Sequence, residues 1–211
     1  MVGGLEHKIG ESEYRTVYQV DTDKCAKFLK THRQKKYGPI TVSYPMQWYT
    51  WFKFGVADYN EFEFENYRMM MRKLPVEAHK YFARIFDVVK TSEASVSVSE
   101  LVRDADGQIS RTLQNVGMVA DAHFWNALAF VRDALIEKGI PYFDALDANI
   151  VVKQDEFGPT PMFVDVKRVG ANMYPFQPWL HVKSCRAAKT RRSFDRLLRY
   201  APQSEPRSVL F

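Results

Sequence analysis

Tyr142-Phe143-Asp144-Ala145-Leu146-Asp147-Ala148-Asn149-Ile150-Val151-Val152, followed after a turn by Met162-Phe163-Val164-Asp165-Val166, is the stretch that decides how this chain reads. An acid stands five positions before an asparagine, and an apolar run, a hairpin-like turn and a second apolar run then close on Asp165. Magnesium-dependent phosphoryl transfer uses such a set. Asp144 would stand beside an acceptor hydroxyl, Asn149 would offer a neutral oxygen to the metal, and Asp165 would offer the charged oxygen that bridges metal to phosphate. Asp and Asn are also common turn residues, so the plain alternative is a capped loop after a helix that ends at Gly139. The upstream half of the chain separates the two readings.

The 211 residues suit one domain or two apposed lobes sharing a cleft, and the apolar fraction of 46% with 14% aromatics is that of a folded protein. No apolar run reaches the roughly 20 residues a bilayer crossing takes, because Ala127-Leu128-Ala129-Phe130-Val131 is broken at Arg132. The first residues lack the apolar core of a signal peptide. Cys25 and Cys185 are too few and too far apart for a disulfide framework or a metal-ligand spacing, so a reducing, cytoplasmic setting is the expectation. The net charge of +5 is unevenly placed: Lys30, Arg33, Lys35 and Lys36 cluster early, and Lys183, Arg186, Lys189, Arg191, Arg192, Arg196 and Arg199 crowd the C-terminal segment. Such clusters fit an anionic partner or a solvated face.

Ile9 to Val20 reads as a strand, a polar turn and a second strand, and Lys24 to Leu29 as a third, with Cys25, Lys27 and Leu29 on one face. Residues 31–57 mix basic and aromatic side chains around Pro39 and Pro45. Packing of those aromatics onto the small lobe is preferred here over stacking on single-stranded nucleic acid. Asp58 caps a helix that Pro75 stops, with Glu61 placed for a capping box. Ala83–Val89 and Ser95–Val102 alternate as a strand pair, and Asp106-Gly107 marks a turn. A core helix capped by Asp121 carries Phe124, Leu128, Val131 and Leu135 on one face and ends at Gly139 and Pro141.

Together, the Asp144–Asn149 loop, Asp165, Gly10 opening the first hairpin, Val17 seven positions later and Cys25-Ala26-Lys27 resemble the motifs of the protein-kinase-like superfamily. That resemblance implies an α+β, small bilobal fold. An antiparallel sheet with one helix would make an N-terminal lobe over 1–102, interrupted by the insertion at about 31–57, and a reduced helical lobe would span 103–211. It implies ATP and Mg2+ as ligands in the interlobe cleft. Lys27 would lie on the phosphates, and Glu65, with Glu61 as fallback, would pair with it. Val17 and Cys25 would cover the base, and the backbone of Glu100-Leu101-Val102 would meet the adenine edge. Asp144 would be the catalytic base, with Asn149 and Asp165 on the metal.

Departures from the family pattern matter. Ser12 and Arg15 stand where the second and third glycines would be, which stiffens the loop and lets Arg15 substitute for backbone N–H contacts to phosphate. Tyr142-Phe143 replaces His-Arg, Leu146 replaces a lysine, and Asp165-Val166-Lys167 replaces Asp-Phe-Gly, with Lys167 or Arg168 adding charge near the phosphates. Only about forty residues follow Arg168, fewer than a peptide-holding lobe takes. Over most of the chain, apart from the aromatic insertion, the sequence resembles the bacterial PhoP regulatory network (YrbL-like) proteins. That similarity rests on Asn60, Glu65 and Tyr67, on Asp106–Ser110 before Leu113, on Asn149-Ile150, and on Arg191-Arg192-Ser193-Phe194. The expected activity is phosphotransfer from Mg-ATP to an unknown acceptor. A weakly active or inactive pseudokinase is the alternative, and an anion- or nucleic-acid-binding module ranks third.

Overall fold

The computed structural model describes residues 7–12, 14–37, 40–54, 58–91, 95–140, 143–166 and 182–202. The expectations placed on Tyr142, Lys167 and Arg168 lie outside the described residues. The architecture is α+β, and the chain divides into two compact units. The first comprises residues through Glu65 together with Arg84–Leu101. Among the described residues the second comprises Asn66–Ala83 together with 102–140, 143–166 and 182–202. Residues 66–83, assigned by sequence to the first lobe, thus group with the second.

In the first unit, β1 (His7–Glu11), β2 (Arg15–Gln19), β3 (Lys24–Leu29), β6 (Ile85–Lys90) and β7 (Ser95–Glu100) form one sheet in the order β1-β2-β3-β7-β6. Every neighbouring pair is antiparallel. Alternation sets the register: Val17 and Ser97 flank Lys27, while Ser99 lies opposite Cys25. Residues directly opposite one another share a face, so Val17, Cys25, Lys27, Ser97 and Ser99 line one side of the sheet.

The helix α2 (Tyr59–Lys73) begins where Asp58 predicts. Asp58 Oδ1 accepts from the Asn60 and Glu61 N–H groups at 2.9 and 3.1 Å, satisfying two of the donors a helix start leaves open. The same oxygen accepts from Ser95 Oγ at 2.6 Å, tying the helix start to β7. The insertion forms its own two-stranded sheet, β4 (His32–Tyr37) with β5 (Ile40–Pro45), followed by α1 (Met46–Phe54).

The second unit is built around α5 (Ala122–Glu137) and the hairpin β9 (Ile150–Asp155) and β10 (Gly158–Phe163). Asp121 Oδ1 caps α5 by accepting from His123 N and Phe124 N, and Phe124, Leu128, Val131 and Leu135 are buried as the periodicity requires. Gly139, at φ +64°, takes the left-handed turn that ends this helix region. Pro159 and Pro161 sit on β10, which is the edge of the sheet β10-β9-β8, where a strand can go without some N–H donors; β8 is Arg111–Thr112. Other helices among the described residues are α3 (Val76–His79), α4 (Leu113–Val116), a 3-10 turn over Asp147–Asn149 and α6 (Lys183–Asp195), the last continuing as a 3-10 turn over Arg196–Tyr200.

Four phenylalanines from distant stretches form the core beneath the decisive loop. Phe143 meets Phe163 edge-on at a centroid distance of 5.1 Å and Phe82 at 6.0 Å, and Phe194 of α6 lies 6.3 Å away. Phe82 stacks on Phe163 at 5.2 Å. Their burial anchors the loop that begins at Asp144.

Candidate functional site

In the first unit, Lys27 is buried on the central strand β3, and its Nζ lies 3.7 Å from Glu63 Oε1. Glu63 is also buried, and its Oε2 accepts a charged hydrogen bond from the Arg15 guanidinium. Asn60 completes the cluster. Its amide nitrogen donates to the carbonyls of Lys27 at 3.0 Å and Ser95 at 2.9 Å, and its oxygen accepts from Arg15 at 3.2 Å. One side chain thus fastens α2 to two strands while orienting the arginine.

The carboxylate that meets Lys27 is therefore Glu63, where sequence placed Glu65 with Glu61 in reserve. The reason is rotational phase. Asn60, Glu63, Asn66 and Met70 recur every three or four residues and, with Tyr59, are buried as one stripe of α2. Glu61 and Glu65 stand two residues to either side of Glu63, about 200° around the helix, on the outer face. Glu65 is exposed, and Glu61 pairs with Lys90 at 2.6 Å. Arg15 also differs from expectation: it turns inward onto Glu63 and Asn60, beside the Tyr59 ring at 5.6 Å.

The hairpin turn before Arg15 uses its own donors. Ser12 Oγ accepts from Tyr14 N at 3.3 Å and Arg15 N at 3.1 Å, and Ser12 N donates to Arg15 O at 2.8 Å. Ser12, where the family pattern would have a glycine, thus engages two backbone N–H groups of its own turn. Gly10 sits at a register shift of β1, and a Cβ there would meet only Val17 Cβ at 3.9 Å, an ordinary contact. Glu11 next to it accepts from Lys30 at 2.6 Å and from Lys8. These hydrogen bonds, the Lys30 one foremost, pull its carboxyl down to about 2.

Cys25 is buried, with Sγ 4.0 Å from Ser99 Oγ and 3.8 Å from the Glu100 carbonyl. Burial pushes its thiol pKa up, so the thiolate needed for alkylation is scarce. Cys185 is free and exposed. In the folded protein iodoacetamide should label Cys185 within minutes and Cys25 only after unfolding. Mass spectrometry of the labelled peptides checks this, and equal rates would contradict the burial of β3.

At the expected adenine-facing stretch several main-chain groups are already engaged. Glu100 N donates to Arg84 O and Leu101 N to Asp23 O, both at 2.8 Å, and Val102 O accepts from Ser110 N at 3.0 Å. The Glu100 side chain accepts from Arg84 N at 3.0 Å.

In the second unit, the β9–β10 ladder ends on the pair Ile150 with Phe163, and Val164 N continues it by donating to Asn149 O at 2.9 Å. The hairpin thus brings Asn149 and Asp165 to one end, a single residue out of direct opposition. Both are half-buried. Asp144, on the preceding loop, accepts at Oδ1 from Arg196 at 2.7 Å and from Ser193 Oγ at 3.2 Å, while Ser193 Oγ accepts from Ala145 N at 2.7 Å. Asp147 accepts from the Arg199 guanidinium and the Tyr200 hydroxyl. Burial pushes the Asp147 carboxyl up, but the Tyr200 and Arg199 hydrogen bonds, with the Ala148 N–H, outweigh it and hold the group below its ordinary value. That bond raises the Tyr200 hydroxyl in turn.

Sequence reasoning missed Ser193, Arg196, Arg199 and Tyr200 as partners of the loop. The basic C-terminal segment was read as facing an anionic ligand or solvent, and two of its arginines instead reach the loop acids within the protein. Glu63 and Asn60 could have been found from the phase that Asp58 imposes on α2.

Among the described residues no three His, Cys, Asp or Glu side chains converge as a metal site. Asn149 and Asp165 are hard oxygen donors of the kind magnesium takes one or two of, with phosphate oxygens and waters completing its shell.

No family model matches the chain, and no curated protein matches it. Neither comparison supports the YrbL-like family expected from the motifs. Among solved structures the chain is similar to a co-crystal of WbdD with the kinase inhibitor LY294002, with a TM-score of 0.45 and 14% identity. The match covers 90% of this chain and 45% of that one, so the chain spans less than half of WbdD.

Proposed function

We propose that this chain is a kinase-like protein that binds Mg-ATP and transfers its γ-phosphate to an acceptor hydroxyl. The observation that carries the reading is the buried Lys27–Glu63 ion pair on the central strand of the five-stranded sheet. A buried lysine held by a helix carboxylate is the device that aims an ammonium at nucleotide phosphates. Ser97 adds support: it lies opposite Lys27, and its hydroxyl is buried with no hydrogen-bond partner among the described residues, as expected of a group that meets a ligand. Asn149 and Asp165 would hold Mg2+, which would neutralise phosphate charge, and Asp144 would take the acceptor's proton. Glu63 replaces Glu65 in the lysine-positioning role.

Calorimetry with Mg-ATP, run beside a phosphate-release assay, tests this on the wild type, Lys27→Ala and Asp165→Ala. Wild type should bind only with magnesium. Each variant should weaken binding at least about tenfold, the scale of one lost charged contact, and Asp165→Ala should abolish release. Binding and release unchanged in Asp165→Ala would end the proposal.

A second reading, a nucleotide-binding pseudokinase, is favoured by Arg15 turning inward and by the Arg196 clamp on Asp144. ATP would then raise the melting temperature while no acceptor gains phosphate.

A further inference from the structure

The helix α1 turns its aromatic side outward. Met46 and Thr50, one turn apart, are buried, and Met46 N donates to Thr31 O at 2.9 Å, which seats the helix. Trp48, Trp51 and Phe52 occupy an arc of about 100° on the side away from them, since each residue advances the helix by about 100°. They are 67, 59 and 79% exposed. Three neighbouring large aromatics held in water make a contiguous apolar patch, which a soluble surface rarely keeps without a use.

The charge of this stretch of sequence is of one sign. No Asp or Glu occurs between Asp23 and Asp58, whereas Arg33, Lys35 and Lys36 fall on β4 and Lys53 on α1. We propose that α1 and the β4–β5 hairpin form a membrane-interface patch that docks on an anionic lipid surface. Aromatic rings on one helix face suit the headgroup–acyl boundary, and a stretch of sequence that carries basic but no acidic residues suits anionic headgroups. Single-stranded nucleic acid shares the charge preference but not the ring geometry. The Trp51 and Phe52 rings meet at 77° with centroids 5.2 Å apart, so they do not offer parallel faces to successive bases.

This docking is separate from bilayer crossing, for which no helix among the described residues is long and apolar enough. It is also independent of the nucleotide reading, because none of its residues is assigned to ATP or metal.

The test is co-sedimentation of the whole chain with vesicles of phosphatidylcholine alone or with about 30% phosphatidylglycerol, with tryptophan emission followed in parallel. Anionic vesicles should bind at least about tenfold more tightly than neutral ones, with a blue shift, and binding should fall as salt rises, since each basic residue near the surface is worth about fivefold. The triple variant Trp48→Ser, Trp51→Ser, Phe52→Ser should lose about tenfold or more while its circular dichroism stays unchanged, because all three side chains are exposed. Should that variant fail to fold, Lys35→Glu with Lys36→Glu should weaken anionic binding alone. Three results would overturn the proposal. One is no binding to anionic vesicles at low salt. Another is a thymidine oligonucleotide quenching emission at lower concentration than lipid shifts it. The third is concentration-dependent self-association, without vesicles, that the triple variant abolishes.

Discussion

Replacing Glu63 with alanine should lower the unfolding free energy by about 3–5 kcal/mol, the range for breaking a buried ion pair by removing one partner. Two buried cations, Arg15 and Lys27, converge on this one carboxylate from neighbouring strands. Without it both guanidinium and ammonium stay in a low-dielectric setting while losing a carboxylate that offsets their desolvation. Glu63→Gln keeps the shape and a hydrogen-bond acceptor, and should cost less than the alanine variant. Glu65→Ala, two residues on and exposed, should stay within about 0.5 kcal/mol of wild type, as surface changes do. Urea midpoints with unchanged slopes would measure all three. Equal midpoints for Glu63→Ala and Glu65→Ala would show that the helix has the wrong phase.

The second large effect belongs to Phe143. Truncation to alanine should cost about 3–5 kcal/mol, because the ring is fully packed among Phe82, Phe163 and Phe194 and the surrounding rings can close the gap only in part. Phe143→Leu, which keeps most of the volume, should cost under about 1.5 kcal/mol. Asp144 is the next residue in the chain, so the alanine variant should also loosen the loop acids. Faster amide exchange at Ala145, whose N–H is held by Ser193, would report it. A Phe143→Ala protein as stable as wild type would mean that the four rings do not form a core.

What the sequence made legible was what short-range pattern controls. The α5 stripe, the Asp58 and Asp121 caps, the strand pair with its serine–valine alternation and the β9–β10 hairpin all follow from periodicity and turn chemistry over a dozen residues or fewer. Lys27 was placed correctly on its strand for the same reason. Glu63 was missed although it was within reach: three glutamates at 61, 63 and 65 compete in composition, and only the rotational phase set by Asp58 separates them. The contacts of Asp144 with Ser193 and Arg196 span about fifty residues of chain, and no local pattern encodes a partner so distant. The aromatics of α1 were expected to be packed away. Three are exposed, on the side of the helix away from the buried Met46–Thr50 edge.

Asp58 Oδ1 takes two main-chain donors from the beginning of α2 and one hydroxyl from β7, so a single oxygen acts as a rotational detent. Turning the helix by one residue would swing Glu63 about 100° off the sheet and carry a neighbouring side chain into its place. Such a turn must break three hydrogen bonds together before any new contact forms. The lysine-facing arrangement is therefore an indexed position, held or released as a whole, and not one point on a smooth range of helix orientations.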